Sequence, residues 1–347
     1  FDTLLLWCVN PVAPNFGRFD FIMRLGIIGC GVLGRFHAPC AVKAGFKVVA
    51  CSDPVRANAE LLAAEHGAEV IDDAMALCAS DNIDVVAICT PTHVHAAFVI
   101  EAAKHGKHIF CEKPFCRTLA QCDDALAAVK KAGVKLFVGH VVRYFQEFCA
   151  MKQQIDEGKI GKPGFVRTFR GGQSPLGEGS WFRDFEKSGG VTLDCIIHDF
   201  DWLRYAFGDP ERVFSQNLRE RIDEGIDYAM VTFRFKSGVI ATVTGSWAHP
   251  TGFKVKAEIC GDNGMITYDS SEAPIASQLR GAGGAAPGVV LPASPVNDSP
   301  YYLEWADFQG WLQDKHAPRV TPEDAVWAVR MGLGAIESAE TGQPVTF

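Results

Sequence analysis

From Leu25 to about residue 140, the chain alternates short apolar runs with segments in which apolar positions recur every three or four residues. Runs such as LGIIG and IDVVAICT have the length of strands, and segments such as HAAFVIEAAKHG have the helical period. Repeated strand and helix units of this length predict a parallel sheet with helices on both faces. The near-continuous VVAIC run fits a strand that is buried on both sides. The pattern therefore predicts a first α/β domain over residues 23–140.

The pattern changes after residue 140. Longer strands with alternating apolar and polar positions follow, including FVRTFRG, YAMVTFRF and VIATVTGSW, and turn signals such as KSG and GDNG separate them. These features predict a C-terminal α+β domain over residues 141–347, built on a large and mainly antiparallel sheet. One face of that sheet is expected to pack against a helix, and the other face is available as an oligomer surface.

Three further segments complete the predicted organisation. Residues 271–299 are rich in Ala, Gly, Pro and Ser, which predicts a long surface loop, with an arm or an active-site lid as the alternative. The segment TPEDAVWAVRMGLGAIESAETG predicts a last helix, with Pro322 in its first turn and Gly342 after its end. Residues 1–22 are interpreted as an N-terminal extension, because the apolar run LLLWCV is too short for a signal peptide or a membrane span.

The segment RLGIIGCGVLGRFH carries the pattern G-x-G-x-x-G at Gly29, Gly31 and Gly34, between a predicted strand and a predicted helix. In a dinucleotide-binding fold the first glycine permits a tight turn, and the second lets the backbone approach a pyrophosphate. The third lets the helix pack closely on the strand. The amide groups that open the helix, at Val32, Leu33 and Gly34, would then hold the anion.

Asp53 lies at the position where a dinucleotide-binding fold usually has a carboxylate. Asp53 ends the next predicted strand, FKVVACSD, where it can accept hydrogen bonds from the adenosine ribose hydroxyls. That carboxylate would repel a 2′-phosphate, so NAD is favoured, while the nearby Arg56 leaves NADP open. The first domain is therefore predicted to be a Rossmann domain that binds NAD.

The segment GGVTLDCIIHDFDW places ionisable side chains inside an otherwise apolar run. With about 100° of rotation per residue, Asp194, His198, Asp201 and Tyr205 fall on one narrow stripe of a helix. Most other positions of this helix are apolar, so the stripe resembles the wall of a cavity more than a solvent-exposed face. A structural hydrogen-bonded acid and imidazole pair remains the alternative to a catalytic site.

Net charge and cysteine usage limit the binding partners and the cell compartment that the sequence predicts. The formal charge is −8 and the basic residues are scattered, so no basic surface is predicted for nucleic acid or an anionic membrane. The 12 cysteines include no C-x-x-C pair, and Cys89 and Cys111 lie in apolar runs, as buried thiols do. This usage predicts a reducing compartment, the cytoplasm, and disfavours zinc.

Two segments of the chain carry a family resemblance. The first is TPTHVHAAFVIEAAKHGKHIFCEKPF, with its triplet Glu112-Lys113-Pro114, and the second is SGGVTLDCIIHDFDWL. In this combination the sequence resembles the glucose–fructose oxidoreductase, inositol dehydrogenase and MocA family, and most of all its inositol dehydrogenase branch. The resemblance extends from Met23 to the terminal ESAETGQPV. It implies an NAD(P)-dependent oxidoreductase in which groups from both domains act at the nicotinamide.

The resemblance also implies roles for individual residues. Lys113 matches the family's catalytic lysine, Asp194 its acidic partner and His198 its acid/base residue. Asp201 matches the acid of H-x-x-D, which has a supporting role. Cofactor contacts are implied for the loop after the fourth strand and for the turn that follows the fifth, which together contribute Thr90, Pro91, His95, Glu112 and Lys113.

The reaction explains why these residue types are needed. An alcohol hydroxyl has a pKa far above neutrality, so hydride transfer from its carbon requires removal of the hydroxyl proton. An imidazole can accept that proton near neutral pH, and an ammonium group can stabilise alkoxide character. Near the expected substrate site, Trp181 is a candidate for stacking on a sugar ring, with simple packing as the alternative. Arg183 is a candidate substrate contact, with an ion pair to Asp184 as the alternative. The pair His93 and His95 forms H-x-H, but no further ligands stand at metal-binding spacing, so no metal is predicted.

The predicted protein is therefore a homo-oligomeric dehydrogenase, a dimer or a tetramer, that oxidises a secondary hydroxyl of a cyclic polyol or sugar. One alternative is an NAD-dependent glycosidase or keto-sugar reductase of the same family. Another is a non-catalytic NAD-binding regulator, although such a protein has no need for Lys113, Asp194 and His198 together.

Overall fold

The computed structural model describes residues 22–175, 180–250, 252–272 and 298–347. The predicted N-terminal extension, apart from its last residue, lies outside the described residues, and so does the predicted loop 271–299 apart from its two ends. The described chain forms two compact units. The first contains the residues up to Gln146 together with Asp298 to Val326, and the second contains Glu147 to Glu272 together with Trp327 to Phe347.

The first unit is built on a six-stranded parallel sheet with the strand order β3-β2-β1-β4-β5-β6. Its strands are β1 (Arg24–Ile28), β2 (Lys47–Ser52), β3 (Glu69–Val70), β4 (Val85–Ile88), β5 (His108–Glu112) and β6 (Leu136–Gly139). Its connecting helices are α1 (Val32–Lys43), α2 (Arg56–His66), α3 (Ala74–Ala79), α4 (His95–Lys104) and α5 (Leu119–Ala132). The order reverses between β1 and β4, which makes a topological switch point above the carboxyl ends of these strands. The predicted Rossmann sheet is confirmed.

The core of the first unit includes a helix from far along the chain. The chain returns in α9 (Pro300–Leu312), whose side chains are buried on almost every face. Trp305 and Phe308 have no exposed surface, and Trp305 stacks on Phe110 of β5 with the ring centroids 4.1 Å apart. The predicted boundary assigned everything after residue 140 to the second domain, whereas burial of α9 against the first sheet assigns Asp298 to Val326 to the first unit.

The second unit is built on a seven-stranded, mainly antiparallel sheet with the order β12-β11-β7-β10-β9-β8-β13, in which only β7 and β10 pair in parallel. Its strands are β7 (Pro163–Gly171), β8 (Pro210–Arg221), β9 (Ile226–Phe235), β10 (Ile240–Ser246), β11 (Lys254–Gly261), β12 (Met265–Asp269) and β13 (Val345–Thr346). Its helices are α6 (Gln146–Asp156), α7 (Phe185–Ser188) and α8 (Ile197–Phe207), and the boundary between the units falls within α10 (Pro322–Thr341). The predicted C-terminal α+β fold is confirmed.

One face of the second sheet packs on α8, as predicted. The rings of Phe200 on α8 and Phe233 on β9 are 5.0 Å apart, and neither residue has exposed surface. The alternate positions of β8, β9 and β10 face away from α8 and leave large apolar side chains exposed: Phe214, Leu218, Tyr228, Met230 and Ile240. Among the described residues, no helix has both the length and the apolar character needed to cross a membrane.

Candidate active site

The glycine turn follows β1 at the carboxyl edge of the first sheet. Gly29 has φ 90°, and a Cβ there would lie 2.6 Å from the carbonyl oxygen of Cys89. A Cβ on Gly34 would lie 1.9 Å from the carbonyl oxygen of Gly29, so only glycine lets α1 approach the turn this closely. Space next to Gly31 is open, since no atom lies within 4 Å of the position that its Cβ would take. The three glycines therefore have the three surroundings that a dinucleotide turn requires.

Asp53 lies beside this turn at the end of β2. Its Oδ2 accepts a hydrogen bond of 2.7 Å from the amide of Cys30, and its Oδ1 accepts one of 2.8 Å from the amide of Val55. Arg56 forms ion pairs with two neighbouring acids, Glu60 and Asp72. Because these carboxylates already compensate the guanidinium, the surroundings of Asp53 favour a ribose hydroxyl over a 2′-phosphate.

The loop after β4 and the turn after β5 reach the same edge of the sheet. Thr90 and Pro91 are half-buried there, and the Thr90 hydroxyl oxygen has no hydrogen-bond partner among the described residues. His95 is fully buried, with Nε2 lying 2.8 Å from the carbonyl oxygen of Thr90 and Nδ1 lying 2.9 Å from that of Pro114. Burial lowers the pKa of His95. The sequence resemblance implied a cofactor contact for His95, but no part of its side chain is exposed to a ligand. His95 instead links the loop after β4 to the turn after β5.

Glu112 also differs from the sequence expectation. Its side chain is 4 % exposed and turns into the protein, where Oε1 lies 2.7 Å from Nε2 of His37 and Oε2 accepts a 2.9 Å hydrogen bond from the amide of Lys113. Burial raises the pKa of Glu112, but the hydrogen bond from His37 and the charge of Lys113 outweigh it and hold this pKa below its ordinary value. Glu112 is therefore an internal anion behind Lys113, whose own side chain is half-buried at the edge of the sheet.

These features fit a dinucleotide in the first unit. The helix α1 begins without a side-chain cap, so its first amide groups are available to an anion at Val32, Leu33 and Gly34. The open space beside Gly31 allows a ligand to approach the backbone closely. The Thr90 hydroxyl, which has no hydrogen-bond partner among the described residues, can bond to such a ligand. The donor set is one of neutral amides and hydroxyls, which suits a pyrophosphate.

In the second unit, the helix carrying Asp194 and His198 is not continuous. Residues Val191–Cys195 form a π-helical turn, and α8 begins only at Ile197. Asp194 is 8 % exposed and lies in the π turn, whereas His198 is half-buried in the first turn of α8. Asp201 is buried, but Tyr205 is exposed, with the ammonium group of Lys152 5.1 Å from its ring centroid. His198, Asp201 and Tyr205 all lie within α8 and keep the helical spacing of the predicted stripe, but Tyr205 is on the surface, so the predicted cavity wall does not extend to it. The π turn affects the other end of the stripe, because it changes the rotation per residue between Asp194 and His198.

Buried acids hold this helix in place. Asp227 on β9 accepts a 2.7 Å hydrogen bond from the amide of Val191, at the start of the π turn, and burial raises the pKa of Asp227 to about 6. Asp199, next to His198, forms a 2.6 Å ion pair with Nε of Arg170 on β7. Sequence reasoning missed both acids. The signal for Asp227 was an acid at an inward-facing position of an alternating strand.

The predicted substrate contacts lie in a short turn, Trp181–Arg183. The ring of Trp181 stacks on Phe182 with the centroids 4.1 Å apart, and Nη1 of Arg183 donates to the carbonyl oxygen of Asp223 at 3.3 Å. Asp184 pairs with Lys187, not with Arg183. Both substrate contacts stay predictions.

Sequence reasoning also missed three buried residues of the first unit: His37, Glu304 and Trp305. Each has no exposed surface. His37 follows the glycine pattern in GRFH, and Glu304 lies in YYLEWADFQGWL, where acids occur in a helix that is apolar all round. An acid in such a helix was the available signal, because a charge there needs a partner or a proton.

The buried carboxyl group of Glu304 is expected to make the free energy of unfolding depend on pH. Neither of its carboxyl oxygens has a hydrogen-bond partner among the described residues. Burial, and then the charges of Glu112 and Asp307, raise the pKa of Glu304 well above its ordinary value of 4.5. The folded protein therefore holds this proton more tightly than the unfolded chain. The resulting stabilisation is complete below pH 4.5 and is lost as the pH rises toward the folded pKa, by up to about 1.4 kcal/mol per pH unit.

Replacing Glu304 with glutamine removes this titration and keeps the shape of the side chain. We expect Glu304→Gln to be increasingly more stable than the unchanged protein as the pH rises above 4.5. Denaturant unfolding at several pH values measures the difference. Glu65→Gln, at an exposed position of α2, is the control and should give a profile parallel to that of the unchanged protein. A constant difference between Glu304→Gln and the unchanged protein across this range would contradict the prediction.

Comparison with known proteins agrees with this geometry. Residues 23–140 match the model of an oxidoreductase family with an NAD-binding Rossmann fold, and residues 148–267 match the GFO/IDH/MocA C-terminal domain. The scyllo-inositol 2-dehydrogenase (NAD(+)) of Bacillus subtilis (strain 168) is 32% identical over 334 residues, which cover 93% of this chain and 96% of that protein. The 1,5-anhydro-D-fructose reductase of Ensifer adhaerens is 31% identical over 334 residues, covering 92% and 97%. The crystal structure of a probable dehydrogenase from Thermotoga maritima has a TM-score of 0.78 at 29% identity, covering 93% of this chain and 98% of that one.

A Rossmann sheet with a complete glycine turn defines a dinucleotide-binding protein, and the matching family models make it an oxidoreductase. The chain belongs to the GFO/IDH/MocA family of oxidoreductases, and its cofactor is NAD.

Proposed function

We propose that this oxidoreductase oxidises one secondary hydroxyl of a cyclic polyol, an inositol first of all, to a ketone. The observation that carries the proposal is the junction of the π turn with α8, where buried Asp194 and half-buried His198 lie one helical turn apart in one segment of the second unit. An aqueous alcohol does not lose its proton at neutral pH, so a base at this position has a clear purpose. The scyllo-inositol 2-dehydrogenase relative supports the choice of an inositol.

Each proposed group has a defined task. His198 accepts the hydroxyl proton at a ring nitrogen, and Asp194 orients the imidazole or binds a neighbouring hydroxyl. The Lys113 ammonium group stabilises negative charge that develops on a substrate oxygen. Bound NAD supplies the hydride acceptor. For the cofactor we propose the glycine turn, Asp53 and the loop at Thr90 and Pro91 as its binding residues.

A panel of inositols and aldoses, assayed with NAD and NADP separately, tests this function. We expect the near-ultraviolet absorbance of reduced nicotinamide to rise with at least one inositol, and to rise faster with NAD, because Arg56 is already paired with Glu60 and Asp72. Binding of NAD without reduction by any polyol or aldose would contradict the proposal. A glycosidase would instead cleave a glycoside without net formation of NADH.

A second candidate is reduction of a keto-sugar by the same groups working in reverse. The 1,5-anhydro-D-fructose reductase relative favours it. In that direction His198 donates the proton to the ketone oxygen. A fall in NADH absorbance with a keto-sugar, and no reaction with inositols, would select this candidate.

We also propose that the protein is a homo-oligomer, a dimer or a tetramer, and that it is cytoplasmic. The exposed apolar face of β8, β9 and β10 supports an oligomer, since single chains rarely leave such a face in water. Buried thiols such as Cys111 and Cys122 support a reducing compartment. Analytical ultracentrifugation of the full chain measures the oligomeric state directly.

A further inference from the structure

A buried chain of hydrogen bonds runs from α9 to the turn that carries Lys113. Nε1 of Trp305 donates to Nδ1 of His37 at 3.0 Å, and Nε2 of His37 lies 2.7 Å from Oε1 of Glu112. Oε2 of Glu112 then accepts the 2.9 Å hydrogen bond from the amide of Lys113. Trp305, His37 and Glu112, called here the His37 chain, come from three separate segments of the sequence, and Trp305 and His37 are 268 positions apart.

The direction of each hydrogen bond in the His37 chain is determined. An indole N–H is only a donor, so Nδ1 of His37 must accept from Trp305. The proton of the neutral imidazole is therefore on Nε2, from which it is donated to Glu112. Glu112 uses one oxygen for this bond and the other for the amide of Lys113. Trp305 thus selects the tautomer of His37, and His37 orients the carboxylate of Glu112.

The same residues do not suit a metal ion. Ligand atoms of His37, Glu112 and Glu304 lie within 4.8 Å of one another, which is a spacing that a cation site can have. However, Nδ1 of His37 already receives the indole N–H, and Nε2 already faces Glu112. No ring lone pair is left for a cation, and burial favours the protonated form of Glu304 by raising its pKa. The arrangement is one of hydrogen bonds and not of metal coordination.

We propose that His37 is a positioning residue for Lys113, acting through Glu112. The inference rests on the proposed catalytic role of Lys113. The Glu112 carboxylate fixes the backbone at Lys113 by accepting its amide, and it can do so only while the other oxygen is held by His37. Loss of His37 would leave a buried carboxylate with one oxygen unpaired, which is costly, and its rotation or protonation would release the turn.

The first experiment replaces His37 and measures the kinetics of NAD reduction by the polyol found in the panel. We expect His37→Leu to lower kcat about 10- to 100-fold, with a much smaller change in the KM for NAD, because displacement of Lys113 by a fraction of an ångström affects the reacting geometry. His37→Gln keeps an N–H donor toward Glu112 and should recover most of kcat. Equal kcat values for His37→Leu and the unchanged protein would overturn the proposal.

A matched variant separates positioning from packing. Phe308 lies in the same core, with its ring centroid 6.0 Å from that of Trp305, but takes no part in the hydrogen bonds. We expect Phe308→Leu to lower Tm with little change in kcat. If Phe308→Leu lowers kcat as much as His37→Leu at a similar loss of Tm, the role of His37 is only structural and the proposal fails.

The second experiment tests the directions of the hydrogen bonds. Glu112→Gln can still accept from the amide of Lys113, but its NH₂ group then faces Nε2 of His37 and drives the ring proton to Nδ1, opposite the N–H of Trp305. Trp305→Phe removes that opposing donor. We therefore expect the double variant E112Q/W305F to have a higher kcat than E112Q alone. Strictly additive losses would refute the assigned tautomer.

A third measurement does not depend on turnover. The amide of Lys113 is bonded to Glu112, so hydrogen exchange in the peptide that contains it should be at least about tenfold faster in His37→Leu. If none of the polyols in the panel is oxidised by the unchanged protein, the proposed function fails. The exchange rate at Lys113 still tests the His37 chain in that case. An exchange rate that is unaltered in His37→Leu would rule out positioning through Glu112.

Discussion

Replacing His198 with glutamine is expected to lower kcat for polyol oxidation by about 10²- to 10⁴-fold. The substitution keeps a polar side chain of similar reach but removes the imidazole that we propose as the acceptor of the hydroxyl proton. Binding of NAD should be retained, because the glycine turn and Asp53 belong to the first unit and His198 belongs to the second. Steady-state kinetics, together with titration of NAD by protein fluorescence, measures both quantities.

The control for this variant is His105→Gln. His105 is exposed after the end of α4, where Nε2 lies 3.0 Å from a carboxylate oxygen of Glu101, and it has no proposed role in the reaction. We expect its kcat to match that of the unchanged protein. If His198→Gln keeps more than about a tenth of the original kcat, His198 is not the base and the proposed mechanism must be abandoned.

The second large effect is expected in stability. Arg170 and Asp199 are 5 % and 1 % exposed, and they are joined by one 2.6 Å hydrogen bond from Nε to Oδ2. Asp199→Asn leaves the guanidinium charge buried without its counter-ion, which typically costs about 3–5 kcal/mol. We expect the second unit to unfold at a clearly lower denaturant concentration, as followed by tryptophan fluorescence and circular dichroism.

The matched control removes both charges. Arg170→Met combined with Asp199→Leu leaves no uncompensated charge in the core, so most of the lost stability should return. The comparison matters for function, because Asp199 directly follows His198 in α8. A double variant that is no more stable than Asp199→Asn would mean that the pair is needed for packing and not for charge compensation.

Much of the fold was predictable from local pattern. Each strand and helix unit of residues 23–140 buries its own apolar face, so periodicity alone indicates the parallel sheet that the structure has. The glycine turn was predictable for a similar reason, since Gly29, Gly31 and Gly34 are neighbours in sequence and the turn needs no distant partner. The last helix also agrees, because Pro322 and Gly342 are local signals.

The sequence did not predict what depends on distant partners. Periodicity describes α9 as a buried helix but does not say which sheet buries it, so the segment from Asp298 to Val326 was assigned to the wrong unit. The π turn was missed because its five residues show the same apolar pattern as a turn of α-helix. What distinguishes the two is tertiary: Asp227 accepts a hydrogen bond from the amide of Val191, and the turn packs on the sheet.

By itself, then, the sequence determined the Rossmann class and the dinucleotide turn, since each is encoded over a few adjacent positions, and it supplied the candidate residues for the proposed reaction. Only the tertiary structure decided that His95 and Glu112 are internal, that Asp199 is paired with Arg170, and that Trp305 sets the tautomer of His37. The physical reason is that a buried polar group takes its role from the partner it meets. Here those partners come from elements that are remote in the sequence and adjacent only after folding.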